Sequence, residues 1–106
     1  MTKPTIDLVY FDGCPHVEAA RAALREALGS DAAPARWREW RNDDPDLPEY
    51  ATGYGSPSIF VGGREVTAAA PSQSATSCRV YSDLAGRRLA APAAETIARA
   101  LAEAAR

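Results

Sequence analysis

Between residues 5 and 17 the chain changes its hydrophobic period without a linker, and this junction constrains the fold more than any other feature. Thr5-Ile6-Asp7-Leu8-Val9-Tyr10-Phe11 is dense in β-branched and aromatic side chains and is closed by Asp12-Gly13. That is the composition of a mostly buried first strand ending in a turn. From Pro15 onward Val17, Ala20, Leu24, Ala27 and Leu28 fall on one helical face, while Glu18, Arg21, Arg25 and Glu26 lie off it and Gly29 supplies a stop. Pro15 suits the first helical position, where its missing N–H would have had no partner in any case. Cys14 is then expected at or near the N-cap.

The remaining elements follow from the same reasoning. Ala35 to Arg41 alternates as a strand does, with Trp37 on one face and Arg36 and Arg38 on the other. Asn42-Asp43-Asp44-Pro45-Asp46 combines turn chemistry with an N-cap signal, so a short helix is expected through about Ala51, limited by Pro48 and ended by Gly53 and Gly55. Ser58-Ile59-Phe60-Val61, the Gly62-Gly63 pair and Arg64-Glu65-Val66 make a hairpin, because a two-residue connection demands positive φ angles. Ala68 to Ala91 gives no clear period and accommodates a short strand or one helical turn, with a turn around Ser82 to Gly86. Pro92 opens a last helix to about Ala105, with Ile97, Leu101 and Ala104 toward the sheet and Glu95, Arg99 and Glu103 toward water. The order β-α-β-α-β-β-α implies one α/β domain over residues 1–106, a mixed sheet with helices on both faces.

Composition removes several functional classes. Among 106 residues, 12 basic against 14 acidic side chains give a net charge of −2 with the signs interspersed, so no basic face for a nucleic-acid backbone is expected. No apolar run approaches the roughly 20 residues of a membrane span, and no basic start leads into a signal-like stretch, so a cytoplasmic location with no membrane partner is expected. The two cysteines, Cys14 and Cys78, are too few for a disulfide scaffold. Each is a buried filler, a reactive thiol or a soft-metal ligand.

A thiol at a helix N-terminus faces unpaired N–H groups and the positive end of the helix dipole, which stabilise thiolate and lower its pKa below the ordinary value of about 8.5. His16 either adds positive charge and relays a proton or is a solvated first-turn residue. Asp12 either bonds its own backbone in the turn or passes protons to and from the site. For Cys78 the sequence leaves open whether its Cα comes within the roughly 4.4–6.8 Å that a disulfide requires. Neighbouring Arg79 and Tyr81 read as a strand-opposed charge and a packing residue.

Phe11-Asp12-Gly13-Cys14-Pro15-His16, between first strand and first helix, and Tyr54-Gly55-Ser56-Pro57-Ser58-Ile59-Phe60, before the hairpin, together resemble the thioredoxin-like superfamily. The element order resembles it over nearly the whole chain. The resemblance implies that Cys14 is the nucleophile, that the Ser56–Pro57 bond is cis, and that the backbone of Gly55 and Ser56 receives an extended thiol or disulfide substrate. Val17 stands where dithiol members carry the resolving cysteine. That leaves a monothiol cycle resolved by an external thiol such as glutathione, a cycle resolved by Cys78, or soft-metal binding by Cys14 and Cys78. The chain also looks like small bacterial members of the superfamily, some with selenocysteine at the first-motif position, and similar short sequences are sometimes labelled alkylmercury lyase. One carboxylate and two thiols, Asp12, Cys14 and Cys78, would suit Hg²⁺ and protonation of a departing carbon. A non-catalytic binding module on the same fold is the third reading. None of these readings calls for a bound cofactor.

Overall fold

The computed structural model describes residues 4–29, 37–68, 81–82 and 85–104. Strand β1 (Ile6–Tyr10) runs into helix α1 (Val17–Leu28), followed by β2 (Arg38–Arg41), β3 (Ser58–Val61), β4 (Arg64–Glu65), a two-stranded ribbon of β5 (Tyr81–Ser82) and β6 (Arg88–Leu89), and helix α2 (Ala94–Ala104). The main sheet has the order β2-β1-β3-β4. Strand β2 lies parallel to β1, whereas β3 pairs antiparallel with both β1 and β4. The protein is thus a mixed α/β fold with a mixed sheet.

Strand alternation sorts the side chains into two layers. Ile6, Leu8, Ile59 and Val61 point to the face that α1 and α2 cover, where they pack with Ala20, Leu24, Ala91 and Ile97. Leu8, Leu24, Ile59 and Ile97 have no exposed surface, and each such burial contributes roughly 1.5–3 kcal/mol. Val9 and Phe60 point the other way, to a smaller cluster with Ala51, Trp40, Leu47 and Tyr54. Phe60 is enclosed by the rings of Tyr54, edge-on at 4.9 Å, and Tyr50, tilted at 5.9 Å.

Several expectations need correction. Among the described residues helices cover one face only, where α1 and α2 pack against each other. The other face is covered by the segment following β2. The helix expected there is only a 3-10 turn, Glu49–Ala51. Pro48 has no N–H and disfavours helical backbone at Leu47, while the Asp44 side chain accepts from the Asp46 N–H at 2.8 Å in a local turn and caps no helix. Helix α1 begins at Val17 with His16 as N-cap, so Pro15 and Cys14 precede the helix. Its first turn is tight, with the His16 carbonyl accepting from both Ala19 and Ala20. Strand β2 is described from Arg38, with Trp37 just before it and residues 35–36 outside the described set. Val66 follows β4 and does not extend it, although its N–H still donates to the Ile59 carbonyl at 3.0 Å. At the end of α2, Ala100 and Leu101 pack on the core while Ala104 is exposed.

The hairpin forms as the glycine pair requires, with φ of +59° at Gly62 and +82° at Gly63. Within the poorly patterned stretch, Tyr81 pairs with Leu89 and Ser82 with Arg88. Cys78 lies outside the described residues. No helix of the described residues is long and apolar enough to cross a membrane.

Candidate functional site

Three strand ends meet at one edge of the main sheet. Tyr10 closes β1 opposite Arg41 at the end of parallel β2, and the Asn42 N–H donates to the Tyr10 carbonyl at 2.7 Å. Because β3 runs antiparallel, its first residue, Ser58, lies opposite Val9. The loop after β1 and the segment before β3 therefore leave from the same edge. One carries Cys14 and the other carries Gly55, Ser56 and Pro57.

The first loop is a tight turn. The Cys14 N–H donates to the Phe11 carbonyl at 3.1 Å, and Gly13 takes the third turn position with φ +83°. A side chain there would be strained, which explains glycine. Cys14 ends the turn with only 6% of its surface exposed. Asp12 is exposed, and His16 is half-buried at the N-cap without a side-chain capping bond.

The second segment is enclosed. Gly55, Ser56, Pro57 and Ser58 are all buried, and the Ser56–Pro57 peptide bond is cis. The Ser58 hydroxyl donates to the Gly55 carbonyl at 2.6 Å, and the Tyr81 hydroxyl donates to the Pro57 carbonyl. Tyr81, expected only to pack, thus also ties the ribbon to this segment. Among the described residues, the Ser56 hydroxyl is the buried side-chain oxygen left without a partner.

A second polar centre lies on the sheet face away from the helices, and the sequence reading passed over it. Asp7 has no exposed surface. Its Oδ1 accepts from Arg38 Nε and Trp40 Nε1, each at 2.9 Å, and its Oδ2 accepts from the Tyr50 hydroxyl at 2.5 Å. Arg38 also stacks over the Trp40 ring at 5.3 Å. Burial and the bond to Asp7 raise the Tyr50 phenol above its ordinary range, so it remains a donor at neutral pH. The signal for this centre was a carboxylate inside a strand that reads as buried, which needs partners. On the helical face, Arg21 bridges Glu39 through two bonds of 2.7 and 2.9 Å and also pairs with Glu18.

Of the residues singled out for chemistry, Cys14, Gly55, Ser56 and Pro57 therefore leave the same sheet edge, with Asp12 and His16 flanking Cys14. The described residues contain no group of three or more His, Cys, Asp or Glu side chains that would hold a metal ion. A broader groove lined by Pro4, Gly63, Arg64, Arg99 and Glu103 sits at the opposite end of the sheet, away from the thiol. No protein-family model, curated protein or solved structure matches the chain.

Proposed function

We propose that this chain is a thioredoxin-like, thiol-dependent redox protein in which Cys14 is the nucleophile and Gly55, Ser56 and Pro57 form the edge that receives a thiol or disulfide substrate. The observation that carries this reading is the convergence, at one sheet edge, of a buried thiol just before a helix and an enclosed Gly-Ser-Pro segment. The sheet order β2-β1-β3-β4, with α1 linking parallel β1 and β2 and a hairpin leading toward α2, supports the same reading.

The chemistry is disulfide exchange. The Cys14 thiolate attacks one sulfur of R–S–S–R′, forms the mixed disulfide Cys14–S–S–R and expels R′–S⁻, which takes up a proton from water. The thiol lies two residues before the N-cap of α1. A second thiol then releases R–S⁻ and leaves Cys14 either in a disulfide with Cys78 or, after an external thiol, as a new mixed disulfide that a further thiol reduces.

Replacing Cys14 by Ser is expected to abolish mixed-disulfide formation with a small aromatic disulfide while circular dichroism and melting stay unchanged. Persistent trapping in that variant removes Cys14 from the mechanism. A protein that binds one equivalent of Hg²⁺, loses this binding in Cys78→Ser and forms no mixed disulfide contradicts the redox reading and favours soft-metal handling.

A further inference from the structure

We infer that the substrate of Cys14 is a low-molecular-weight disulfide and not a protein disulfide, with Tyr81 as the residue that enforces the choice; the inference rests on the redox reading above. An extended peptide adds to a sheet edge through unpaired N–H and C=O groups, and a folded partner needs open surface on the order of 800 Å². The candidate site presents neither. Cys14 has only 6% of its surface exposed, and Ser56 and Pro57 have less than 2%. The edge is also engaged along its backbone. The Gly55 carbonyl accepts from the Ser58 hydroxyl at 2.6 Å, Ser56 stands in an isolated β-bridge, and the Pro57 carbonyl accepts from the Tyr81 hydroxyl.

These closures differ in reach. Ser58 belongs to the same segment, so its bond moves with the edge. Tyr81 lies 24 positions beyond Pro57, on the ribbon in which Tyr81 pairs with Leu89 and Ser82 with Arg88. Its side chain is buried, so ring and hydroxyl together hold the ribbon against the edge. A two-stranded ribbon is at best marginally stable by itself, and its place therefore depends on such side-chain anchors. A small disulfide needs no more than the narrow exposure of Cys14, with the edge still closed. The Cys14 thiolate bonds to one sulfur of R–S–S–R, the S–S electron pair leaves on the other as R–S⁻, and water supplies its proton. A protein disulfide requires the edge to be uncovered first, by local opening of the ribbon.

The test mixes the reduced full chain with bis(2-hydroxyethyl) disulfide or with insulin and follows the Cys14 adduct by peptide mass. Each rate is divided by that of free glutathione with the same disulfide, which removes the intrinsic reactivity of the disulfide itself. The wild type is expected to favour the small disulfide over insulin by more than about tenfold, because insulin waits on local opening. Tyr81→Phe keeps the ring and loses the hydroxyl bond. It is expected to raise the insulin rate about fivefold, the worth of one neutral hydrogen bond, and to change the small-disulfide rate by less than about twofold. A merely structural role for Tyr81 would move both rates together or neither. Comparable wild-type ratios for the two disulfides overturn the inference alone, whatever the variant does, and so does an insulin rate that a folded Tyr81→Phe leaves unchanged. A wild-type protein whose Cys14 reacts with neither disulfide overturns the redox reading along with it.

Discussion

The Asp7 carboxyl group has no exposed surface and accepts from three donors, on Arg38, Trp40 and Tyr50. The donors are unequal in consequence. Arg38 is more than half exposed and rehydrates when its partner is lost, whereas Asp7 does not. Asp7→Ala should destabilise by roughly 3 kcal/mol, since it removes several charge-assisted bonds. Arg38→Ala should cost about 1 kcal/mol, because two donors remain and a half-exposed pair contributes little. Urea melts of the two variants check this, and equal losses would mean that Asp7 relies on Arg38 alone. The partners of Asp7 were illegible because they lie 31 to 43 positions further along the chain. Cys14 was singled out by a local signal, an Asp-Gly turn ahead of a helix, whereas Pro57 was singled out by resemblance, since a proline opening a strand is ordinarily trans.

The strength of a local signal decided which elements could be read. The Gly62-Gly63 hairpin, β1 and the helical span of α1 carry period and turn chemistry within a few residues of each other, and all three form. The segment after β2 carries a cap signal and a breaker together, and Pro48 reduces it to one 3-10 turn. Helix α1 is joined to edge strand β2 by the paired bonds of Arg21 to Glu39, a tertiary contact that neither period announces. Bonding to Arg21 holds the Glu39 carboxyl below its ordinary range, against the opposing effect of burial. A depressed folded-state value means that this contribution is complete above the unfolded value and disappears as pH falls through the folded one. Arg21→Ala should therefore lower stability by about 1 kcal/mol at neutral pH and by progressively less as acid protonates Glu39. Thermal melts across the acid range check the sign, and an undiminished difference in acid would assign the loss to packing of Arg21 over the Tyr10 ring, 5.9 Å away.

At the scale of the whole molecule, both helices gather on one face of a four-stranded sheet, and irregular chain with its aromatic rings closes the other. Among the described residues no helix covers that second face, where Leu47, Ala51 and Tyr54 pack without helical spacing. What survives the difference is the arrangement of strand ends that sets Cys14 and the Gly55–Pro57 segment at one edge. Tyr81 is tied to this edge by its hydroxyl bond to the Pro57 carbonyl. The most direct test is trapping by a small aromatic disulfide in the wild type and in Cys78→Ser, with intact mass before and after mild oxidation. A mixed disulfide at Cys14 in both proteins, with a loss of about 2 Da on oxidation that vanishes in the variant, is the expected result. A Cys14 that forms no mixed disulfide, in a protein that loses no mass on oxidation, would contradict a nucleophilic Cys14 resolved by Cys78.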